Sequence, residues 1–464
     1  ADNNTGVGYL ALRLNTTGSD NAAYGHDALG ANTTGSYNVG IGSEAMQANT
    51  TGGNNTAMGY YALGNNTTGS SNTAIGFGTL DANTTADNNT AVGNHTLGLN
   101  TTGHSNAAVG ANALDANTTG NGNTAVGRDA LTDNTTADYN SAFGYAALYN
   151  TTTGANNTAV GYGAIANNTT GANNSAVGSL ALNANTTGGS NVAVGRASMT
   201  DNTTGGANTA CGEQSLHENT TGGSNTAVGQ GALYNNTTAS SNTAVGKDSL
   251  TANTTGLQNT AVGSGAGQTM TTANYNTAVG VDASKNLTTG NDNTTVGINA
   301  GLDLTTGGNN LILGTNAGRA SSPSGSLDTN DNIVCLGNNS ITSIYCADTS
   351  ISSSDKRDKT DITDFTHGLN WINQLKPVTY RWDKRTWYDD STPDGSKKRN
   401  KKHIGFLAQD VLAIEGNPSN KDDMLVVNLN EDNTAYGLKY ERLVPVLVNA
   451  IKELSTKITA LEAK

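Results

Sequence analysis

No tryptophan occurs before Trp371 and no proline before Pro323 in this 464-residue chain, and lysine plus arginine number only six before Ser354. Against those six stand twenty Asp and Glu, a net charge of −14. From Ser354 onward eighteen Lys and Arg face seventeen Asp and Glu, a net of +1, and all three Trp and four of the five Pro are found there. The composition therefore divides the chain in two near Ser354. An acidic surface over 350 residues excludes a nucleic-acid partner, which requires a basic footprint, and excludes an anionic membrane surface. No stretch approaches the 18 or so apolar residues of a membrane span, so no membrane insertion is expected. Ala1 falls partway through a repeat and opens no signal-peptide pattern, which reads as a trimmed start.

Cysteine is also scarce. Cys211, Cys335 and Cys346 have no metal-ligand spacing, and the sequence calls for no metal and no cofactor. Cys211 occupies a slot that is apolar in every other repeat and reads as a buried thiol. A Cys335–Cys346 disulfide, and with it the compartment, stays open.

What fills the first region is a unit of 17 residues, repeated nineteen times without insertion or deletion to about Gly318. Asn recurs at each seventeenth position from Asn4 to Asn310, and Gly four residues later from Gly8 to Gly314. Such strictness marks a stacked solenoid, in which one lost residue throws the neighbours out of register. The alternation of small and large residues in N-T-A-V-G predicts a strand, with the Val slot (Val7, Tyr24, Met58, Phe143) filling a core and the Ala slot allowing close approach of another backbone. The Ala-Leu pair begins the return path, and N-T-T-G supplies the turn. Helix is disfavoured, because each of the two or three Gly per unit costs about 1 kcal/mol in a helix interior. Coils stacked roughly 4.8 Å apart make a rod on the order of 90 Å. The recurring Asn is expected to form a ladder of side-chain amides.

Four small apolar residues per coil bury little surface, so an obligate homotrimer is expected, with the Ala face as the inter-chain core. The last four copies replace the large aliphatic residue after Ala by Gly267, Ser284, Gly301 and Gly318. In three of them an apolar residue appears three positions later, at Met270, Leu287 and Leu304. This reads as a change of cross-section toward the base of the rod. The expected organisation is an array over 1–318, a β-rich neck over 319–353 and a small α+β domain over 354–464. The NTAVG-type repeats resemble the β-roll heads of trimeric autotransporter adhesins and related phage fibre shafts, a resemblance that implies a trimer.

Four blocks follow in order: Ser354-Asp355-Lys356-Arg357-Asp358-Lys359, then DITDFTHGLNWINQLKPVTYRW, IGFLAQDV from Ile404 to Val411, and LKYERLVPVLVNAIKEL from Leu438. Together they resemble the endosialidase-type intramolecular chaperone found at the ends of phage tailspikes and fibres. The resemblance implies that the S-D-x-R-x-K motif carries self-cleavage, with Ser354 as nucleophile and Lys359 as its base. The chemistry is sound, since a serine needs an adjacent base and a lysine serves when burial or neighbouring positive charge lowers its pKa. Attack on the carbonyl of Ser353 would cut the chain in a single turnover. The repeats themselves offer no paired carboxylates and no expected enzymatic activity.

His367 and His403 lack partners at ligand spacing and read as surface or core residues. Trp382 and Trp387, beside Lys384 and Arg385, are expected to pack the small domain's core, and Lys397 to Lys402 to form an exposed basic loop. From Val444 the series Val444, Leu447, Ile451, Leu454, Ile458, Leu461 follows alternating spacings of three and four, an a/d coiled-coil seam over 444–464. The function expected is a viral tail-fibre or tailspike shaft on a virion, with a host-surface receptor or glycan as its contact. A bacterial trimeric surface adhesin or extracellular filament is the alternative. A glycan-cleaving enzyme and an ice-binding face on the Thr-Thr ladder rank below both.

Overall fold

The computed structural model describes residues 2–341, 360, 362–385, 388, 392–418, 423–429 and 436–463. The chain is mostly β. It divides into a unit of residues 1–317 with 327–336, and a unit of 318–326 with 337–464.

In the first unit the 17-residue period becomes one coil of a parallel β-solenoid. Each coil contributes one three-residue strand, from β1 (Thr5–Val7) and β2 (Ala22–Tyr24) to β19 (Leu311–Leu313), with a twentieth, β20 (Val334–Leu336), beyond them. Every strand pairs in parallel with the strand of the next coil at the same slot, as in Thr158↔Ser175, Ala159↔Ala176 and Val160↔Val177. Only the step from β19 to β20 differs, where Leu311 pairs with Val334 across a coil six residues longer. The additional residues lie between Ala317 and Leu327.

The Gly that follows the strand is required by both conformation and space. At Gly161 φ is +133°, and a Cβ there would sit 2.6 Å from the carbonyl oxygen of Gly178 in the next coil. Side chains are excluded because two backbones meet at that point. The aliphatic residue of the return path, by contrast, holds a left-handed conformation without being glycine: Leu148 has φ +55° and Leu182 φ +54°. That costs on the order of 1 kcal/mol per coil. Full burial of the side chain offsets it, at roughly 1.5–3 kcal/mol for a leucine.

The expected amide ladder is present, and it is doubled. Along the strand edge, the backbone N–H of Asn38 donates to Asn21 Oδ1 (3.0 Å), and Asn38 Nδ2 donates to Gly52 O (2.9 Å). Beside it the Asn of N-T-T-G forms a second ladder that shares the same carbonyl, Asn49 Nδ2 donating to Asn32 Oδ1 (2.9 Å) and to Gly52 O (3.0 Å). Both columns are fully buried, so each amide supplies the partners that the buried turn backbone needs. The first Thr of N-T-T-G adds a third column, Thr50 Oγ1 donating to Thr67 O (2.9 Å).

The burial pattern reverses two expectations. The core is built from the Ala slot, exemplified by Ala159 and Ala176, and from the Ala-Leu pair, exemplified by Ala147 and Leu148, all at 0% exposure. The Val slot points outward, with Val109, Phe143 and Val160 at 42%, 42% and 38%. The Ala face is therefore closed within one chain and is not an inter-chain core. The coil is so narrow that only Ala fits on the strand's inner side, opposite the leucine, and the larger residue is forced to the outer side. Cys211 follows its slot and is exposed rather than buried.

Toward the base, the substitutions refill the interior and leave coil length unchanged. Met270, Leu287 and Leu304 are buried at 1% or less, and Leu327 continues their column. Thr295 and Ile312 replace Ala on the strand, both fully buried, where Ser284 and Gly301 have vacated the leucine position. The hydroxyls of Ser284 and Thr295 pair at 2.8 Å. Cys335 takes the Ala slot of β20 and is buried.

In the second unit short elements surround a compact core: α1 (Leu369–Ile372), β21 (Val378–Tyr380), β22 (His403–Gly405), α2 (Ala408–Ile414), β23 (Val427–Leu429), β24 (Tyr436–Leu438) and α3 (Leu443–Glu462). β21 pairs with β22 and β23 with β24, both antiparallel. Trp371, Val411, Met424, Val426, Val427, Leu443 and Val446 form the core.

Candidate functional site: the outward strand face and the C-terminal unit

The outward side of the solenoid sheet is an unbroken band. Strand alternation places the residue before the ladder Asn, the first strand residue, the Val slot and the residue after Gly on the outside. In coil 9 these are Tyr139, Ser141, Phe143 and Tyr145. The two strand columns, Thr5 to Leu311 and Val7 to Leu313, contain no charged residue in any of the nineteen coils. Charge is confined to other columns, where Arg196 and Glu213 form an ion pair between adjacent coils. The two strand columns thus make an exposed, uncharged, partly apolar stripe between the mixed columns that flank it, and one this long is unusual for a protein surface facing water.

Beside it, aromatic rings stack from coil to coil: Tyr9 on His26, Tyr60 on Phe77, and Tyr145 on Tyr162 at 5.6 Å with 9° between planes. Arg128 lies over Tyr145 at 5.8 Å. Further round the coil, His95 lies in the field of Asp81 and Asp115, whose coils flank its own. Burial raises the pKa of both carboxyls, the field of His95 opposing it.

The C-terminal unit presents a second apolar face. α3 buries Leu443, Val446 and Ala450 against its own unit, while Val444, Leu447, Ile451, Leu454, Ile458 and Leu461 are all exposed, Ile451 at 65%. The seam residues expected from the heptad spacing thus form a continuous face outside the unit's core. The unit is fastened by side chains that the sequence did not single out, two on α3 and one at the end of α2. Glu453 accepts from Leu369 N (3.1 Å), Asn449 Nδ2 donates to Phe365 O (2.6 Å), and Glu415 accepts from Leu425, Val426 and Val427 N at 3.1, 2.7 and 3.2 Å. Such carboxylate-to-backbone anchors have no spacing rule, so composition could not reveal them. A cavity of about 270 Å³ lies beside them, lined by Phe365, His367, Trp371, Leu425, Val426, Arg442, Pro445 and Val446.

The expected catalytic pair, Ser354 and Lys359, lies outside the described residues, as do Trp387 and Cys346. His367 stands beside Phe365 and Trp371, and His403 stacks on Tyr380. Trp382 does not pack the core as expected. It is 41% exposed, meets Tyr380 edge-on at 5.3 Å and carries Lys384 over its ring at 5.2 Å. Burial, then the nearby Arg399, lowers the Lys384 pKa. Trp382 follows β21 of a sheet of only two strands and lies outside the core that holds Trp371. Among the described residues no three His, Cys, Asp or Glu side chains are placed to hold a metal ion, and no helix is long and apolar enough to cross a membrane.

Comparison with curated proteins and with solved structures returned no match. Residues 354–419 match the family described as the chaperone of endosialidase. A mostly β solenoid followed by an endosialidase-type chaperone segment fits a tail-fibre or tailspike type of protein with a C-terminal chaperone.

Proposed function

We propose that the chain is the shaft of a homotrimeric attachment fibre, carried on a virion, whose assembly is templated by the C-terminal unit and completed when that unit cleaves itself away. The observation that supports this best is a pair of exposed apolar surfaces: the two uncharged strand columns that run through every coil, and the seam of α3. Both call for further copies of this chain. Three chains packing their Val columns together bury what a single chain leaves in water, and the α3 seams bring the three C-termini together first.

Templating answers a kinetic problem. Nineteen near-identical coils can pair one coil out of register at little cost, and long-range pairing is slow. A helical trimeriser sets the register at the base, from which coils stack in order. Ser354 Oγ, deprotonated by Lys359, then attacks the carbonyl carbon of Ser353. The peptide C–N bond breaks as the Ser354 amine takes the proton, and water hydrolyses the resulting ester, separating 1–353 from 354–464 and trapping the rod kinetically. Host attachment follows from the form: a long projecting shaft with a surface receptor or glycan as its contact.

Mass spectrometry of the expressed full chain tests the cleavage. A break between Ser353 and Ser354 is expected, with Ser354→Ala leaving the chain whole. A normally processed Ser354→Ala chain refutes the assignment. Sedimentation tests the assembly, a folded monomer being the result that removes it.

A further inference from the structure

A template at the base cannot see errors that arise further up. If one chain extrudes a single 17-residue coil after its C-terminus has been aligned, every coil beyond the extrusion is displaced by one step, and the next coils still stack. Loop-closure cost rises only slowly with loop length, so such an extrusion is not strongly opposed. Detection requires a landmark within the array, on the surface where the chains meet.

The outward band contains one. In the Val column, coils 6 to 8, 10 to 12 and 14 to 18 all carry Val, and the interruptions are Phe143 in coil 9 and Cys211 in coil 13. Phe143 is also flanked in its own row by Tyr139 and Tyr145, so that coil 9 has aromatic rings at three of its outward positions. No other coil in the array has this. The three rings are exposed at 65%, 42% and 45% in the single chain and contribute nothing to its core. Tyr145 is held in place by its stack on Tyr162 and by Arg128 above it.

We propose that Tyr139, Phe143 and Tyr145 form a register key, an aromatic belt that fits only the same belt on the second and third copies of this chain. The inference rests on the trimeric reading above. In register, three belts meet at one height and pair ring against ring. One coil out of register, Phe143 of one chain faces Val126 or Val160 of its neighbours, which have neither the ring to pair with nor the space to accept it. The belt thus checks the ten coils between itself and β20, which the C-terminal unit cannot check.

The test mixes chain lengths. The full chain is co-expressed with a version lacking one whole coil, residues 188–204, which lies between the belt and the C-terminal unit. The trimers formed are sorted by mass under native conditions. With belts intact, mixed trimers bring the C-terminal units into line but set the belts one step apart. The expected result is depletion of mixed trimers by roughly tenfold relative to the same pair without belts, three ring pairings being lost. The belt-free pair carries Tyr139→Asn, Phe143→Val and Tyr145→Gln, each residue already used at that slot by another coil (Asn54, Val126, Gln230). Equal mixing, or equal depletion, in the two pairs overturns the key while leaving the trimer standing. A monomeric mass for the unaltered chain overturns the trimer and the key together. The homotrimer peak of the shortened chain reports its folding; if it is missing, duplication of 188–204 replaces the deletion, with the same outcomes.

Discussion

The repeats contain their own control for the role of glycine, which gives a sharp prediction. Two Gly columns run the length of the solenoid, one after the strand and one closing N-T-T-G. A Cβ meets neighbouring backbone in both: at Gly161 the carbonyl oxygen of Gly178, at Gly171 that of Gly188 together with Asn168 Oδ1. The columns differ in conformation, since φ is +133° at Gly161 and lies outside the left-handed region at Gly171. They also differ in use. Four coils carry Ala at the second position (Ala86, Ala137, Ala239 and Ala273), and none carries anything but Gly at the first. Where Ala is present the turn yields by a small amount at most. The distance from Asn Nδ2 to the turn carbonyl is 3.2, 3.2 and 3.1 Å at Ala86, Ala137 and Ala239, against 2.9 Å at Gly171 and 3.1 Å at Gly256. Gly171→Ala should therefore be close to neutral, the small loss in the turn being balanced by about 0.4–1 kcal/mol from a less flexible unfolded chain. Gly161→Ala combines a disallowed φ, costing on the order of 1–3 kcal/mol, with separation of the coils at the Gly178 N to Val160 O bond of 2.8 Å, worth about 1 kcal/mol. About 3 kcal/mol of local stability is lost. Because a stacked array does not unfold as a single unit, amide hydrogen exchange resolved by coil is the proper assay. Exchange in coils 10 and 11 should accelerate by about two orders of magnitude in Gly161→Ala and remain near that of the unaltered chain in Gly171→Ala. Equal behaviour of the two variants would refute the argument.

Three further outcomes are expected. Burial holds the Asp81 and Asp115 carboxyls above their ordinary pKa, so the folded state binds more protons than the unfolded one and stability falls as pH rises through the carboxylate range. Asp81→Asn with Asp115→Asn should flatten that dependence and raise the neutral-pH melting temperature, as followed by circular dichroism from pH 4 to pH 7. On α3, Ile451→Asp with Leu454→Asp should dissociate the chains in sedimentation while the unit keeps its own fold, because Leu443, Val446 and Ala450 pack on the other face. The N-T-T triplets match the acceptor pattern for Asn-linked glycans, yet Asn168 and Asn185 are fully buried, and Asn185 Nδ2 donates to both Asn168 Oδ1 and Gly188 O at 2.9 Å. An oligosaccharyltransferase should leave Asn168 and Asn185 unmodified in the folded chain and modify them only after heating, a difference read by peptide mass, whereas exposed acceptors such as Asn54 and Asn88 are open in both states.

The period, the strand position and the strand-edge Asn ladder were legible because each is a matter of spacing. The sidedness of the strand was not. Val is the larger and more hydrophobic member of the Ala-Val pair, and in a sheet packed on a broad core it would face inward. In a coil whose interior already holds a leucine from the return path, only Ala fits, and that limit comes from the width of the coil and not from the hydrophobicity of the strand. Cys211 was misplaced for the same reason. The left-handed conformation of Leu148 and its equivalents was also hidden, since leucine is a poor marker for positive φ. In the C-terminal unit the α3 seam was readable from its heptad spacing. Trp382 was not, because composition does not distinguish a tryptophan packed in a core from one lying on a two-stranded edge beneath a lysine.

The coil that joins β19 to β20 is the one turn of the solenoid that departs from 17 residues. Its six additional residues enter between Ala317 and Leu327, at the corner that elsewhere carries the leucine and the two residues after it. The columns resume beyond it, with Leu327 in the place of Leu304 and Thr305 N donating to Asp328 O at 2.8 Å. That corner is thus a natural port for foreign sequence: a guest loop placed there in any coil would project sideways at a chosen height. Heights available along the shaft come in steps of about 4.8 Å, so the molecule can serve as a graduated scaffold for spacing grafted binding loops.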